Sequence, residues 1–312
     1  MTGYTAGELK RMYYVPEVTY GTTPTAALTY GGAILRMTPK VNMAMERHWL
    51  GDTQGYTQVT RGPYKAGYEL EYYAHVDSGA YYWYNFAAVY GLGAAAAFAD
   101  HLGSFTTQFM KYVNPTYYYD FYNGCKINQL DLLFNKPGQP IVFKADVKSQ
   151  FLTLGTSKTM TGLQNGVVVG ANPTDIATNL LCRNGISQIN LGAGGLVNWY
   201  PKTMALSIPR NLEPVEGVKL GADSVNYPLE VLQLDEGQRE VTLTCDIRYG
   251  NTTYKAAKLA GTAITALTIP IGNQLITLAN GDFAADDFPE ERQAIRDEPL
   301  KMHFKALTIS TP

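Results

Sequence analysis

The chain has 312 residues, 46% apolar and 17% charged, with 25 Lys and Arg against 27 Asp and Glu and a formal charge of -2. This balance excludes a disordered chain, and the length is that of about two ordinary domains. Neither half carries a basic surplus, with 12 basic and 11 acidic side chains in residues 1–156 and 13 and 16 in residues 157–312, which removes the simplest electrostatic route to nucleic acid.

The 23 Tyr, 30 Gly and 16 Pro favour strands joined by turns. The opening stretch lacks the apolar core of a secretory signal, and residues 1–30 read as an amino-terminal arm. Period-two alternation then predicts strands in order. The first runs through Ile34–Glu46, with Val41, Met43 and Met45 on one face. A turn-rich loop over Trp49–Lys65 follows, then Tyr68, Leu70, Tyr72, Ala74 and Val76 alternate with charged neighbours. Ser78–Ala99 is free of charge and long enough to span a bilayer, but its Tyr, Asn85 and glycines suit a buried helix over Ala80–Tyr90, so a soluble chain is expected. Leu130, Leu132 and Phe134 lead through the turn Asn135–Gly138 to Ile141, Phe143, Ala145 and Val147, a hairpin. Thr156–Gly185, rich in Gly, Thr and Asn, reads as a connector.

The second half repeats the style. Met204, Leu206 and Ile208 form a strand, and Pro209–Asn226 a loop. Val241, Leu243, Cys245, Ile247 and Tyr249 form a strand, Thr253–Leu259 a short helix, and Leu300, Met302, Phe304 and Ala306 a last strand. Strand, loop, strand, helix and closing strands thus occur twice in the same order, which predicts tandem duplication of a β unit. The expected organisation is an arm at 1–30, a first β domain at 31–155, a connector at 156–185 and a second β domain at 186–312.

The chemistry-bearing residues form no active-site pattern, so no catalytic, cofactor-binding or metal-binding residue is assigned and the chain is read as a non-enzyme. His48, His75, His101 and His303 have no ligand spacing, and Cys125, Cys182 and Cys245 lack the pairing of a disulfide framework or zinc site. The glycine runs at Gly91–Gly93 and Gly192–Gly195 lack the flanks of a phosphate loop. The densest acidic segment, Asp282 to Glu298, misses calcium-loop spacing and has Arg292 and Arg296 beside it, so it reads as a solvated loop. Tyr81–Tyr84 and Tyr117–Tyr119 suit cores and subunit contacts better than base stacking.

Several segments carry a family resemblance. Glu17-Val-Thr-Tyr-Gly-Thr-Thr-Pro24 resembles the amino-terminal "E-x-x-Y-G-T" stretch of tail tube (major tail) proteins of long-tailed, siphovirus-like bacteriophages. Phe86–Gly93 is similar to that family's short helix ending in glycine. Phe121–Leu132 resembles its "G-C-K-hydrophobic-N-x-L-x-L" strand, Lys202–Glu213 a later strand, and Pro299–Leu307 the closing strand. The resemblance implies a mainly β fold of sandwich or barrel-like tube domains with short flanking helices. It implies a structural virion protein that self-assembles into stacked rings, the hollow tail tube through which DNA passes.

The implied partners are the chain itself, as a ring of three duplicated chains or alternatively of six chains, tail terminator and baseplate or tip proteins, tape measure protein and, transiently, DNA in the lumen. No cofactor and no membrane is implied. The protein would be made in the host cytoplasm and reside in the virion tail. A secreted or surface β-sandwich module binding carbohydrate or protein is the alternative, but it would want a signal peptide or paired cysteines.

Overall fold

Alternating apolar residues dictate strands that bury one face, and such strands stabilise one another only when their sheets cover a common core. The computed structural model describes residues 11–22, 28–48, 58–74, 103–113, 116–135, 138–155, 187–191, 196–218, 229–238, 240–248, 259–271, 274–284 and 297–310, with a few positions between.

The first half contains β1 (Arg11–Pro16), β2 (Thr29–Ala33), β3 (Arg36–His48), β4 (Gln58–Tyr73), the two-residue strands β5 (Val76–Asp77) and β6 (Ala80–Tyr81), α1 (Val89–Leu92), β7 (Phe105–Val113), β8 (Thr116–Phe134), β9 (Val142–Ser149) and β10 (Phe151–Gly155). The second contains β11 (Ser187–Asn190), β12 (Val197–Trp199), β13 (Pro201–Pro209), β14 (Glu213–Val218), β15 (Leu229–Asp235), β16 (Val241–Arg248), β17 (Ile264–Ile271), β18 (Gln274–Phe283) and β19 (Asp297–Ser310).

The fold is mainly β, and among the described residues all ladders are antiparallel. The sheets do not close into a barrel, and their arrangement is that of a β-sandwich. In the first half the neighbours run β2-β1-β7-β8-β9-β4-β3, and in the second β12-β11-β17-β18-β19-β16-β13. The two orders are the same, strand for strand. Helical residues follow the fourth strand in the first half (α1) and its counterpart in the second, where the Ala260 amide donates to Ala256 O at 2.9 Å. The halves join where β13 pairs with the carboxyl half of β8, from Met204 opposite Phe134 to Pro209 opposite Gln129.

The alternation read from sequence marks the core. Tyr68, Leu70, Tyr72, Leu130, Leu132, Phe134, Phe143, Leu206, Leu243 and Met302 belong to one buried cluster that spans both halves. In the first half, Tyr68 on β4 meets Phe109 on β7 and Tyr122 on β8, each with ring centroids 4.8 Å apart. In the second, the buried positions change phase along three adjacent strands. Leu300, Met302 and Phe304 give way to Leu307 and Ile309, Gln274, Ile276 and Leu278 to Gly281, and Ile264 to Leu267, Ile269 and Ile271. Such a switch moves the inward side chains to the other face, as a strand does in turning a corner between layers.

Two expectations are corrected. Residues 11–16 and 29–33 are not a free arm: β1 lies between β2 and β7. Met12, Tyr13, Tyr14 and Val15 are all buried, so both faces are covered and no alternation betrays the strand. The loop expected over Trp49–Lys65 is strand from Gln58 onward, paired with β3. Gly62 and Pro63 fall where the register jumps from Met43 opposite Tyr64 to Met45 opposite Arg61, a bulge that accommodates proline. Of the expected helix at Ala80–Tyr90, Ala80–Tyr81 is strand and α1 begins at Val89. The connector lies outside the described residues except Leu181, which bonds to Ala74 and Ile141.

Candidate functional site

β8 serves two sheets. Its amino half pairs with β7 and β10, and its carboxyl half with β9 and β13. A strand can exchange neighbours only if its backbone turns, and Gly124 does so at φ 61°, a left-handed conformation open to glycine at little steric cost. Bulges flank it, between Phe105 and Thr107 on β7 and between Ile127 and Gln129 on β8 itself. A Cβ at position 124 would stand 2.7 Å from the Gln150 Cβ and 3.1 Å from the Tyr20 Cζ. Cys125 lies directly behind, fully buried, 3.3 Å from Tyr122 O and 3.7 Å from the Thr107 hydroxyl, and burial pushes its thiol pKa far up.

Glu17 fastens this switch to the amino-terminal turn. Its Oε1 accepts from the Gly124 amide at 2.8 Å and the Thr106 hydroxyl at 2.7 Å, and its Oε2 from the Gly21 amide at 2.9 Å. Asn123 Nδ2 donates to Gly21 O at 2.9 Å in return. Gly21, at φ 69°, packs against the Gln150 side chain, so one glutamine wedges between two left-handed glycines. Among the described residues the Tyr20 hydroxyl is enclosed without a hydrogen-bond partner. Burial, then Cys125, then Glu17 push its pKa far above the ordinary value.

A third segment locks on beside these. Asn128 O accepts the Arg210 amide at 2.8 Å, its Oδ1 accepts the Leu212 amide at 2.9 Å, and its Nδ2 donates to Asp146 at 2.7 Å. Between those amides Asn211 adopts φ 49° and donates from Nδ2 to Gln238 O at 2.6 Å. Lys148 Nζ donates to Leu212 O. Lys126 Nζ donates to Leu234 O and Glu236, both at 3.2 Å. The β14–β15 hairpin is thereby held over the switch, and Tyr20 packs on its Leu212, Val231 and Leu234.

The three segments singled out in sequence, at Glu17–Pro24, Phe121–Leu132 and Lys202–Glu213, therefore meet in one clasp. Glu17 spends both oxygens on donors from three segments, and the Cys125 thiol is held protonated, so the arrangement fixes the chain's path. Sequence reasoning named the segments without seeing that they touch. The available signal was the residue type at each left-handed position: Gly21, Gly124 and Asn211.

The other candidates scatter. His303 Nδ1 is 2.6 Å from Glu240 and 3.5 Å from the Thr242 hydroxyl; His48 lies in β3, and His75 and His101 fall outside the described residues. Cys125 and Cys245 are buried free thiols, and Cys182 lies outside. Tyr119 is buried while Tyr118 is exposed, and Tyr82–Tyr84 lie outside. Asp282 is exposed on β18, Asp297 and Glu298 open β19, and residues 285–296 lie outside. Gly91 falls within α1, while Gly93 and Gly192–Gly195 lie outside. Among the described residues no three His, Cys, Asp or Glu side chains converge on a metal position, and no helix is long and apolar enough to cross a membrane.

The family described as phage tail tube protein matches residues 7–306. The chain belongs to this family. No curated protein matches it in sequence. The family match takes in the first half, the clasp, the β14–β15 hairpin and the second half as far as Ala306 in β19. This tail tube protein is thus a structural component of the bacteriophage tail and of the virion.

Proposed function

We propose that this tail tube protein self-assembles into rings of three chains, each contributing two equivalent β domains, and that the rings stack axially into a hollow conduit for DNA. The observation that carries the reading is the repeated strand order, because six copies of one topology around an axis need only three chains that each hold two. Open sheet edges support it, since a long unpaired strand is an aggregation hazard in a monomer and an interface in a closed ring. The near-neutral charge suits a wall past which DNA slides, because a basic lining would retain phosphate.

The outer half of the β3–β4 hairpin supports stacking. Among the described residues, 58–65 pair with β3 alone, whereas Ala66–Tyr73 also pair with β9, so the hairpin extends past the sheet as a two-stranded arm toward a neighbouring ring. Terminator and tip proteins would cap the stack, with tape measure protein and then DNA inside. The chain would be made in the host cytoplasm before joining the tail. Electron microscopy of assembled tubes tests the stoichiometry. Three chains per ring with pseudo-sixfold density are expected, and a true sixfold ring of six chains would overturn the arrangement.

A further inference from the structure

Exposed large hydrophobic side chains recur at matching places in the two halves. Leu35 immediately precedes β3 and Tyr200 immediately precedes β13, each at the exit from an edge strand, β2 or β12; they retain 46% and 66% of their exposure. An exposed cation follows each, Arg36 and Lys202. The β1–β2 and β11–β12 connections carry the other two: Val18 is fully exposed, and Leu196 retains 47%. A single exposed hydrophobe needs no explanation, but the same stations occupied in two halves with different buried side chains do.

The two sets stand at opposite ends of the strands. β1 ends at Pro16 opposite Phe105, which pairs with Cys125 beside the corner at Gly124. β11 ends at Asn190 opposite Ala266, near Ile264, which pairs with Gly281 beside the corner at Asn280. The rung Lys40–Gly67–Lys148–Lys126 borders the first corner, and β3 runs back from Lys40 to Arg36. The rung Ser207–Thr242–His303–Asp282 borders the second, and β13 runs back from Ser207 to Pro201. Leu35 and Tyr200 therefore lie roughly 15–25 Å from the corners along the strands.

We propose that the Leu35–Tyr200 end of one copy docks on the Val18–Leu196 end of a second copy in the next ring, so that each chain makes the axial contact twice. The proposal rests on the ring reading above and names its stacking surface. Two different ends that meet head to tail propagate along an axis, as a stack of rings requires. The charges fit: Arg36 and Lys202 flank the apolar residues at one end, and exposed Glu213 and Asp235, paired at the base of the β14–β15 hairpin, lie by the corner at the other. The β3–β4 arm leaves from the same corner end. Val18 is also prepared for a partner. Glu17 ties its turn to Gly124, Thr106 and Gly21, and the Thr22 amide donates to Thr19 O at 3.0 Å, so little ordering cost remains when the contact forms. The clasp thus does more than fix the chain's path: it holds Val18 out to the next ring.

Negative-stain images of variants test the contact. Val18 loses no surface within its own chain, so Val18→Asp should keep the wild-type circular dichroism and melting, and should form rings but no tubes. Tyr200→Asp should also stop at rings, while Val18→Leu should keep its tubes. Tubes of normal length from Val18→Asp would overturn the proposal, and so would loss of the rings themselves, which would place Val18 within a ring. Wild-type protein that forms neither rings nor tubes overturns the ring reading and the stacking surface together. As an independent measurement, Val18→Cys is paired with Leu35→Cys or with Tyr200→Cys in a Cys182→Ser background and treated with a bis-maleimide. At least one pair should give covalent ladders longer than dimers in tubes, and the single variants should give none. Tubes in which neither pair links overturn the stacking surface alone.

Discussion

The two halves of the chain share a strand order and differ at nearly every station along it. Both turn a corner on their sixth strand at a left-handed residue, Gly124 on β8 and Asn280 on β18. Gly124 is hemmed in by Gln150 and Tyr20 and fastened by Glu17, whereas Asn280 is exposed. Both connect their third and fourth strands through a long hairpin. In the first half it runs unbroken as β3 and β4. In the second it breaks after β13 and before β16, so that β14–β15 folds back on β4 and the switch in β8. Within the shared buried cluster the first half contributes many aromatic side chains, among them Tyr68, Tyr72, Phe105, Phe109 and Tyr122, and the second mostly aliphatic ones, among them Leu243, Leu267, Ile269, Ile276 and Leu278. Topology is repeated, while side-chain solutions are not. That is expected if backbone hydrogen bonding specifies the unit and each core need only fill its volume.

Alkaline pH should break the symmetry most. Burial raises the tyrosine pKa values of Tyr14 (to about 12), Tyr68 and Tyr72, and likewise of Tyr20 and Tyr90. Among the described residues all such tyrosines lie in the first half. An unfolded tyrosine ionises near pH 10, so the stability these groups contribute is fully present below pH 10. Each loses about 1.4 kcal/mol per pH unit between that pH and its folded pKa. Hydrogen exchange above pH 10 should therefore show β4 and β7 losing protection before β17 and β18. Simultaneous loss would show that the halves open as one unit.

Next in size is Glu17→Ala. It leaves the buried Gly124 amide without its acceptor and frees the Gly21 turn, at a cost of about 3 kcal/mol for charge-assisted bonds of this kind. Urea unfolding measures the loss. A change below about 0.5 kcal/mol, typical of an uninvolved surface site, would remove the clasp from the account of stability.

Exchanging the corner residues sharpens the contrast further. Asn tolerates the left-handed conformation at 280, yet Gly124→Asn should cost about 2 kcal/mol because its Cβ meets Gln150. Asn280→Gly should stay within about 0.5 kcal/mol. Equal effects in paired melts would mean that backbone conformation, and not the wedge of Gln150, decides the corner.

What sequence could show follows from the same physics. Strands with one buried face, such as those around Leu132, Leu206 and Leu243, announce themselves by alternation. β7 does not, because Phe105, Thr106, Thr107, Gln108 and Phe109 are all buried. The repeated order was legible from strands, loops and helices alone. Its full extent was not, since β1 and β11, which extend the two halves, offer respectively a doubly buried run and only four residues. The clasp was legible as three motifs. Their meeting was not, because Glu17 and Gly124 are separated by 107 positions and nothing local records a contact at that distance.

The smallest effect distinguishes two attachments of the β14–β15 hairpin. Lys126 reaches Glu236 at its base, where the side chains retain 16% and 10% of their exposure; Lys65 reaches Glu216 farther out at 2.9 Å, with 53% and 35% exposure. Lys126→Met removes the cation opposite a mostly buried carboxylate and a donor to Leu234 O. It should cost about 1.5 kcal/mol and release the hairpin amides to exchange. Lys65→Met should cost less than about 0.5 kcal/mol, because solvent and salt already weaken a pair at that exposure. The Lys126 and Tyr20 contacts both lie at the switch, so a hairpin held there keeps its base when the outer pair is lost. If Lys65→Met frees the hairpin amides as fully as Lys126→Met does, the outer pair is part of the fastening and the base alone does not hold β14–β15 in place.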